Sequence, residues 1–338
     1  MFDEFDHAAV LVTGATGFIG RRLVEALRSR NVVVHALVRH GSRAPRTSWP
    51  AGAVIERHGD LDRPQTLDGV CAGVETVFHL AGYSGPEPDA AAENAHWQVT
   101  VEGTRALLAQ ARMAGVRRFV FVSSVKAMGE VGESCLDESS PAAPVSSYGR
   151  AKLEAERLVL EAGKQHGMLV CNLRLPLVYG RDNRGNIWRM IAAIDRGRFP
   201  PLPETGNRRS MLHVDDVIQA LRLAAENSAA HGQTYIVTDG RVYSTYQIYV
   251  AVCKALGRLV PRWTIPISLL RTMARIGDVI GKIRGRGFVF DSGVLDKLTG
   301  SACYSCEKIM TELGYRPTRF LEDGLREMVD EYRRIERL

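Results

Sequence analysis

Cysteine is scarce in this chain, six in 338 residues, and scattered, unlike the closely spaced sets that staple small secreted domains. Cys303 and Cys306 form one CxxC with no second pair and no histidine nearby, which reads as ordinary thiols rather than a zinc site; no metal is expected. Long apolar runs are missing too. The most apolar late segment, Ile265 to Ile283, is interrupted by Pro266, Arg271, Arg275, Asp278 and Lys282, so membrane insertion is not expected. Its arginines fit a basic amphipathic surface helix, although packing on its own domain is the plainer reading. The start, MFDEFDHAAV, carries acidic residues and no long apolar stretch, unlike a secretory or transit peptide, and a cytoplasmic protein is expected. No strong charge imbalance exists. The net charge of +6 is spread along the chain without a nucleic-acid motif, which argues against nucleic acid and suits anionic small molecules.

What is present is a globular composition, 45% hydrophobic and 24% charged, in a chain long enough for one large domain and an accessory lobe. Apolar runs of strand length alternate with amphipathic segments. The expected strands are Ala8 to Thr13, Val32 to Val38, Ala53 to Arg57, Glu75 to Leu80, Arg117 to Ser123 and Leu169 to Leu175. Several are continuously apolar, as parallel strands covered on both faces are. Between them, Phe18 to Arg30, Trp97 to Ala114 and Tyr148 to His166 have helical apolar spacing. The expectation is an α/β fold: a Rossmann doubly wound parallel sheet with a smaller, mostly helical C-terminal substrate lobe. Residues 1–176 form the dinucleotide-binding domain in this reading, and 177–338 a discontinuous lobe. Segments at about 209–240 return to the sheet, Leu212 to Val217 and Thr234 to Val237 as strands.

The first expected strand runs into Thr13-Gly14-Ala15-Thr16-Gly17-Phe18-Ile19-Gly20, which opens the first helix. Glycines at this spacing allow a tight turn, close approach of backbone to a pyrophosphate, and close helix-to-strand packing, with the helix N-terminus facing the anion. Strand before and helix after is the context that makes the motif a dinucleotide site. At the end of the second strand an acidic residue would hold a ribose 2′-hydroxyl and repel a 2′-phosphate. Here Arg39 stands, followed by Ser42 and Arg43, with no carboxylate nearby. Arginine clamps phosphate well, so NADP(H) is preferred and NAD(H) remains possible, with Arg39 stacking on adenine.

Tyr148 and Lys152 lie four apart at the start of an expected helix and project from one face. A neighbouring ammonium lowers the pKa of a phenol and makes Tyr148 a usable proton donor or acceptor. Upstream, Ser123 and Ser124 end a strand where it meets the cofactor, and Ser124 is placed to hold a reacting oxygen.

With the glycine loop and the Ser-Ser strand end, Tyr148 to Lys152 gives the chain a resemblance to the extended short-chain dehydrogenase/reductase family, epimerase/dehydratase branch, nucleotide-sugar type. Gly59-Asp60-Leu61, His79 to Gly82, Arg174 to Gly180 and His213 to Asp216 extend it over nearly the whole chain. The resemblance implies cofactor contacts from Gly14, Thr16, Gly17, Phe18, Ile19, Gly20, Asp60, Leu61, Leu80, Ala81, Gly82, Tyr148, Lys152 and Pro176. It implies substrate contacts from Ser124, Asn186 and Arg209, the last on a sugar diphosphate. Arg184, Arg189 and Arg208 are further basic candidates. His213 and Asp215 look structural or lobe-bridging, and a homodimer through the helices at 97–114 and 148–166 is implied.

There are departures from the family pattern. Thr100 stands where a helix-bending asparagine is frequent, and Leu177 where 4-epimerases carry a substrate-touching asparagine. Val125 and Lys126 follow Ser124, in place of the acid/base pair of dehydratases. Arg39 tilts toward NADPH, and Lys297 to Ser301 with Leu313 to Pro317 resembles bacterial nucleotide-sugar members tied to surface polysaccharide synthesis, so the function that the resemblance implies is 4-keto-sugar reduction on a nucleotide-diphosphate sugar in that synthesis. A nucleotide-sugar 4-epimerase is the main alternative; a reductase of a hydrophobic ketone and a non-catalytic dinucleotide-binding module are the lesser ones.

Overall fold

The computed structural model describes residues 9–39, 49, 52–83, 90–129, 135–284 and 290–336. Strands β1 (Ala9–Thr13), β2 (Val33–Val38), β3 (Ile55–His58), β4 (Thr76–His79), β5 (Arg118–Ser124), β6 (Leu169–Leu175) and β9 (Gln233–Ile236) form one sheet in the order β3-β2-β1-β4-β5-β6-β9. All its ladders are parallel. Successive residues point to opposite faces. Val10, Val12, Val120 and Val122 pack in one core, and Leu11, Val77, Phe119 and Phe121 in the other, so both faces are buried, as the apolar runs require. The chain leaves β1 to one side through α1 (Phe18–Arg28) and β2, and later continues from β4 to the other side. The C-terminal ends of β1 and β4 thus flank the crevice where a doubly wound sheet takes its ligand.

A second sheet, β10-β8-β7, comprises β7 (Leu177–Tyr179), β8 (Arg209–His213) and β10 (Val242–Tyr243). It shares a core with α5 (Asn186–Asp195), α7 (Thr245–Leu256) and α11 (Leu321–Glu336), including Tyr179, Ile191, Val252 and Met328. The expected strand at Leu212 to Val217 needs correction. Its first residues end β8, which pairs with β7 rather than with the main sheet, and Val214 begins α6 (Val214–Glu226). The His213 side chain accepts the Asp215 N–H and caps that helix, which stops the strand there.

The expected helix at Trp97 to Ala114 is also interrupted. Between α2 (Ala90–His96) and α3 (Gly103–Met113), residues Trp97–Glu102 are π-helical, and Gly103 N–H bonds the Gln98 carbonyl. Thr104 Oγ1 donates to the Thr100 carbonyl at 2.5 Å, and a Cβ on Gly103 would crowd Leu61. The irregular turn therefore exists without the asparagine. Cysteine requires a second correction: Cys303 is disulfide-bonded to Cys135, 168 residues away. Backbone bonds from Leu136 N to Cys303 O and from Ser305 N to Leu136 O align the two segments. Pairing at such separation leaves no spacing signal. Cys306 remains a buried thiol. No helix among the described residues is long and apolar enough to cross a membrane.

Behind the crevice lies a buried relay. Ala81 N–H donates to Thr13 Oγ1, which bonds His79 Nδ1 at 2.7 Å, while His79 Nε2 meets Thr104 Oγ1 at 2.9 Å. Because the Thr104 hydroxyl spends its proton on the Thr100 carbonyl, it accepts from His79, which fixes the Nε2–H tautomer. Burial, and secondarily the Lys152 charge, pushes the imidazole pKa down to about 3. The unfolded chain thus binds a proton near pH 6.5 that the folded chain refuses, and stability falls as pH drops from there toward 3. Acidification to about pH 5 should cost about 2 kcal/mol at this group. Chemical denaturation of wild type and His79→Gln at neutral and acid pH checks this: the pH slope should be shallower in the variant.

Candidate active site

Gly14 has φ +68°, and a Cβ there would lie 2.9 Å from the Ala81 backbone nitrogen. Only glycine lets β1's exit pass this close to the segment after β4. Gly17 N–H bonds the Gly14 carbonyl at 2.9 Å and closes the turn. A Cβ on Gly20 would overlap that same carbonyl oxygen. Gly17 is the N-cap of α1, and no side chain caps the helix there, which leaves its first-turn amides able to hold an anion, with Thr16, Phe18 and Ile19 partly exposed around them. These residues fit a dinucleotide diphosphate. Arg39 is exposed just past β2, and Gly59 N–H bonds the Val38 carbonyl, which brings Asp60 past the same strand end. Leu61 is buried against Gly103, and Asp60 Oδ1 accepts the Asp62 N–H. Ser42 and Arg43 lie outside the described residues.

Across the crevice, α4 (Ser147–His166) starts with Ser146 capping the Gly149 N–H at 3.1 Å. Gly149 sits against the Lys126 carbonyl with no room for a side chain, which locks the helix start to the turn following Ser124. Tyr148 and Lys152 are thereby fixed relative to β5. The Lys152 ammonium is buried, donates to the Val122 carbonyl at 2.8 Å, and lies 4.6 Å from the Phe121 ring centre and 6.0 Å from that of Tyr148. A Cβ on Gly82 would be 3.3 Å from its Nζ. Burial lowers the Lys152 pKa to about 8, opposed by the Glu156 charge. Of the two serines, Ser123 points inward and donates to Glu156 at 2.5 Å. Ser124 is half exposed, its Oγ accepting the Lys126 N–H. Strand alternation thus gives the site Ser124.

Glu156 carries no motif and was not singled out in the sequence. Arg174 grips it in a buried bidentate pair at 2.9 and 2.7 Å, and the assembly stands one helical turn behind Lys152. Its only sequence signal is the spacing of four from Lys152. His96 was missed as well. It is buried with its ring edge-on to Tyr148 at 5.6 Å and to Tyr83 at 4.8 Å, on the helix face that walls the phenol.

The substrate side came together less fully. Pro176 is partly exposed between β6 and β7, next to the crevice, and Asn186 is exposed at the first position of α5. Arg209 donates from one nitrogen, Nη1, to the carbonyls of Lys297 and Gly300, bracing the end of α9 (Ser292–Thr299). Arg184 stacks on Trp188 at 3.7 Å and pairs with Glu331. Arg189 is exposed. Asp215 accepts from Arg22 of α1 at 2.7 Å and so ties α6 to α1, which pack in one core. Asp216, buried, accepts from Thr318 N and Oγ1 and from Arg319 N. No cluster of metal-ligating side chains occurs among the described residues.

The family model described as "NAD dependent epimerase/dehydratase family" matches residues 10–238. The chain belongs to the NAD-dependent epimerase/dehydratase family. It is an NAD-dependent enzyme of the extended short-chain dehydrogenase/reductase type, with the Rossmann sheet of that family. Among its relatives, UDP-glucose 4-epimerase of Vibrio cholerae is 28% identical over 328 residues, 94% of each chain. The 4-hydroxy-2-methyl-3-oxo-4-farnesyl-3,4-dihydroquinoline-1-oxide ketoreductase of Stigmatella aurantiaca is 31% identical over 271 residues, 79% of each. The solved structure of MoeE5 with UDP-glucose and NAD superposes with a TM-score of 0.74 at 27% identity, covering 97% of this chain and all of that one.

Two glycines of the loop should fail in different ways. Gly17→Ala should still fold, with a smaller loss of stability than Gly20→Ala, and lose at least about tenfold in dinucleotide affinity, since its φ of -77° suits any residue and a Cβ there would meet the Gly14 carbonyl oxygen at 3.1 Å rather than overlap it. Gly20→Ala should lower thermal stability before any ligand is added. Cofactor fluorescence titration beside thermal melts separates the two.

Proposed function

We propose that this enzyme transfers hydride at C4 of a nucleotide-diphosphate sugar and works as a 4-epimerase. The observation that carries the hydride chemistry is the buried Lys152 ammonium between Tyr148 and Gly82, at the strand ends that also hold the glycine loop. A bound nicotinamide supplies the hydride acceptor and donor. Tyr148 Oη takes the proton as the sugar hydroxyl becomes a carbonyl and returns it when the alcohol re-forms. Lys152 favours the phenolate by its charge, and Ser124 Oγ holds the same sugar oxygen. Lys152 is present as ammonium below about pH 8 and loses the proton above it. Val125 is buried and stands where a carboxylate would precede Lys126, so the turn after Ser124 lacks the acid/base pair of a dehydration.

Similarity to the Vibrio cholerae 4-epimerase across nearly the full length supports epimerisation and a UDP-sugar. Net reduction of a 4-keto sugar is the second reading, supported by the exposed Arg39 at the end of β2, where a 2′-phosphate would sit. Interconversion of UDP-glucose and UDP-galactose without net change in cofactor absorbance is expected for the first reading. Oxidation of NADPH by a UDP-4-keto sugar, with no interconversion, would establish the second instead.

Tyr148→Phe should reduce kcat by roughly 10²- to 10⁴-fold with substrate affinity largely kept. The wild-type kcat/KM should decline as pH rises past about 8, the pKa of Lys152. Arg39→Asp should move cofactor preference toward NAD; equal affinities for both cofactors before and after would remove Arg39 from the 2′-phosphate.

A further inference from the structure

Helix α8 (Ile267–Arg284) touches the rest of the protein along one narrow stripe. Leu270 and Ala274 are fully buried and Gly277 is buried beside them; with Leu202 and Leu295 they form a small core. The helix turns about 100° per residue, and the adjoining face carries Leu269, Met273, Ile276, Val279 and Ile283. Every one of these is solvent-exposed, from 43% at Met273 to 80% at Ile283. Such a run at helical spacing is a continuous apolar surface, unlike single exposed apolar residues, which are ordinary. Leu259 and Trp263, 97% and 64% exposed, continue it in the segment leading into the helix.

The next face around α8 is cationic. Arg271, Arg275 and Lys282 stand there, Arg284 ends the helix and Arg262 precedes it. From Leu259 to Arg284 the sole acidic residue is Asp278, whose carboxylate is occupied by the Ser292 N–H and hydroxyl at 3.0 and 2.6 Å. Three sectors therefore follow one another around the helix: anchored, apolar, cationic.

We propose that α8 is a docking surface for an anionic phospholipid bilayer. The apolar sector would sit at the level of the headgroups and upper acyl chains, the Trp263 indole at the interface, and the arginines on lipid phosphates. Charge decides the occupant. An apolar partner protein or a second copy would not need five cations against a single carboxylate, itself turned to Ser292, beside the contact, whereas an anionic surface attracts each of them. The anchored sector holds the helix lengthwise against the body, so the protein lies on the bilayer without crossing it, in keeping with the absence of a spanning helix among the described residues. None of these side chains belongs to the active site.

The full-length protein is mixed with phosphatidylcholine vesicles with and without phosphatidylglycerol, sedimented, and followed by Trp fluorescence. Expected are binding to the anionic vesicles, a blue shift that Trp263→Phe diminishes, and weakening by salt. Ile276→Ser with Ile283→Ser, and separately Arg271→Ser with Arg275→Ser, should each weaken binding at least about tenfold. Their melting temperatures and turnover of a soluble substrate should be unchanged, since the substituted side chains are exposed and remote from Tyr148. Absence of sedimentation with anionic vesicles, or binding indifferent to both double substitutions, would overturn the assignment. So would light scattering in which the apolar substitutions halve the mass of the wild-type particle, since the face would then belong to a second copy.

Discussion

One buried cation organises the active centre. Lys152 is enclosed by the Phe121 ring, the Val122 carbonyl and the passage of Gly82, and an ammonium in such a place is held by its bond to that carbonyl, by the ring face and by a carboxylate within reach of its field. Glu156 provides that field, and Arg174 in turn holds Glu156 in place by a bidentate contact. The charges alternate from Arg174 through Glu156 to Lys152, each compensating the next. Tyr148 rides on the same helix, so the geometry of the phenol is inherited from this chain of charges and from the contact of Gly149 with the Lys126 carbonyl.

The cofactor side of the molecule was readable in the sequence because its physics is local. Gly14, Gly17 and Gly20 do their work within one turn, and the strands around them are buried on both faces and so uniformly apolar. Tyr148 and Lys152 are legible for the same reason, being one helical turn apart. The parallel register from β1 to β6 followed from those apolar runs.

What was not legible depends on chain segments far apart. That Arg209 Nη1 donates to the Lys297 and Gly300 carbonyls, about ninety residues on, has no trace in the local sequence. Cys303 looked like half of a CxxC, yet its partner is Cys135, aligned by a backbone ladder between two loops. Leu212, Val214 and Val217 suit a strand, but the helix cap made by the His213 ring divides the segment between strand and helix. Asp216, adjacent to the residue that attracted notice, clasps the start of α11 across a hundred residues.

The seventh strand of the main sheet has a mechanical meaning. β9 is parallel to β6 and hydrogen-bonded beside it, and everything from β7 to α6 is spelled out between the two. That excursion leaves the sheet and re-enters it at adjacent strands, while Asp215 pins it to Arg22 near the glycine loop. A segment fastened at both ends to one edge cannot slide away from the sheet. The end of that excursion, α6, packs in the same core as α1 and β5, so the second sheet is tied to the dinucleotide-binding sheet at three places: through β6, through β9 and through the Asp215–Arg22 pair.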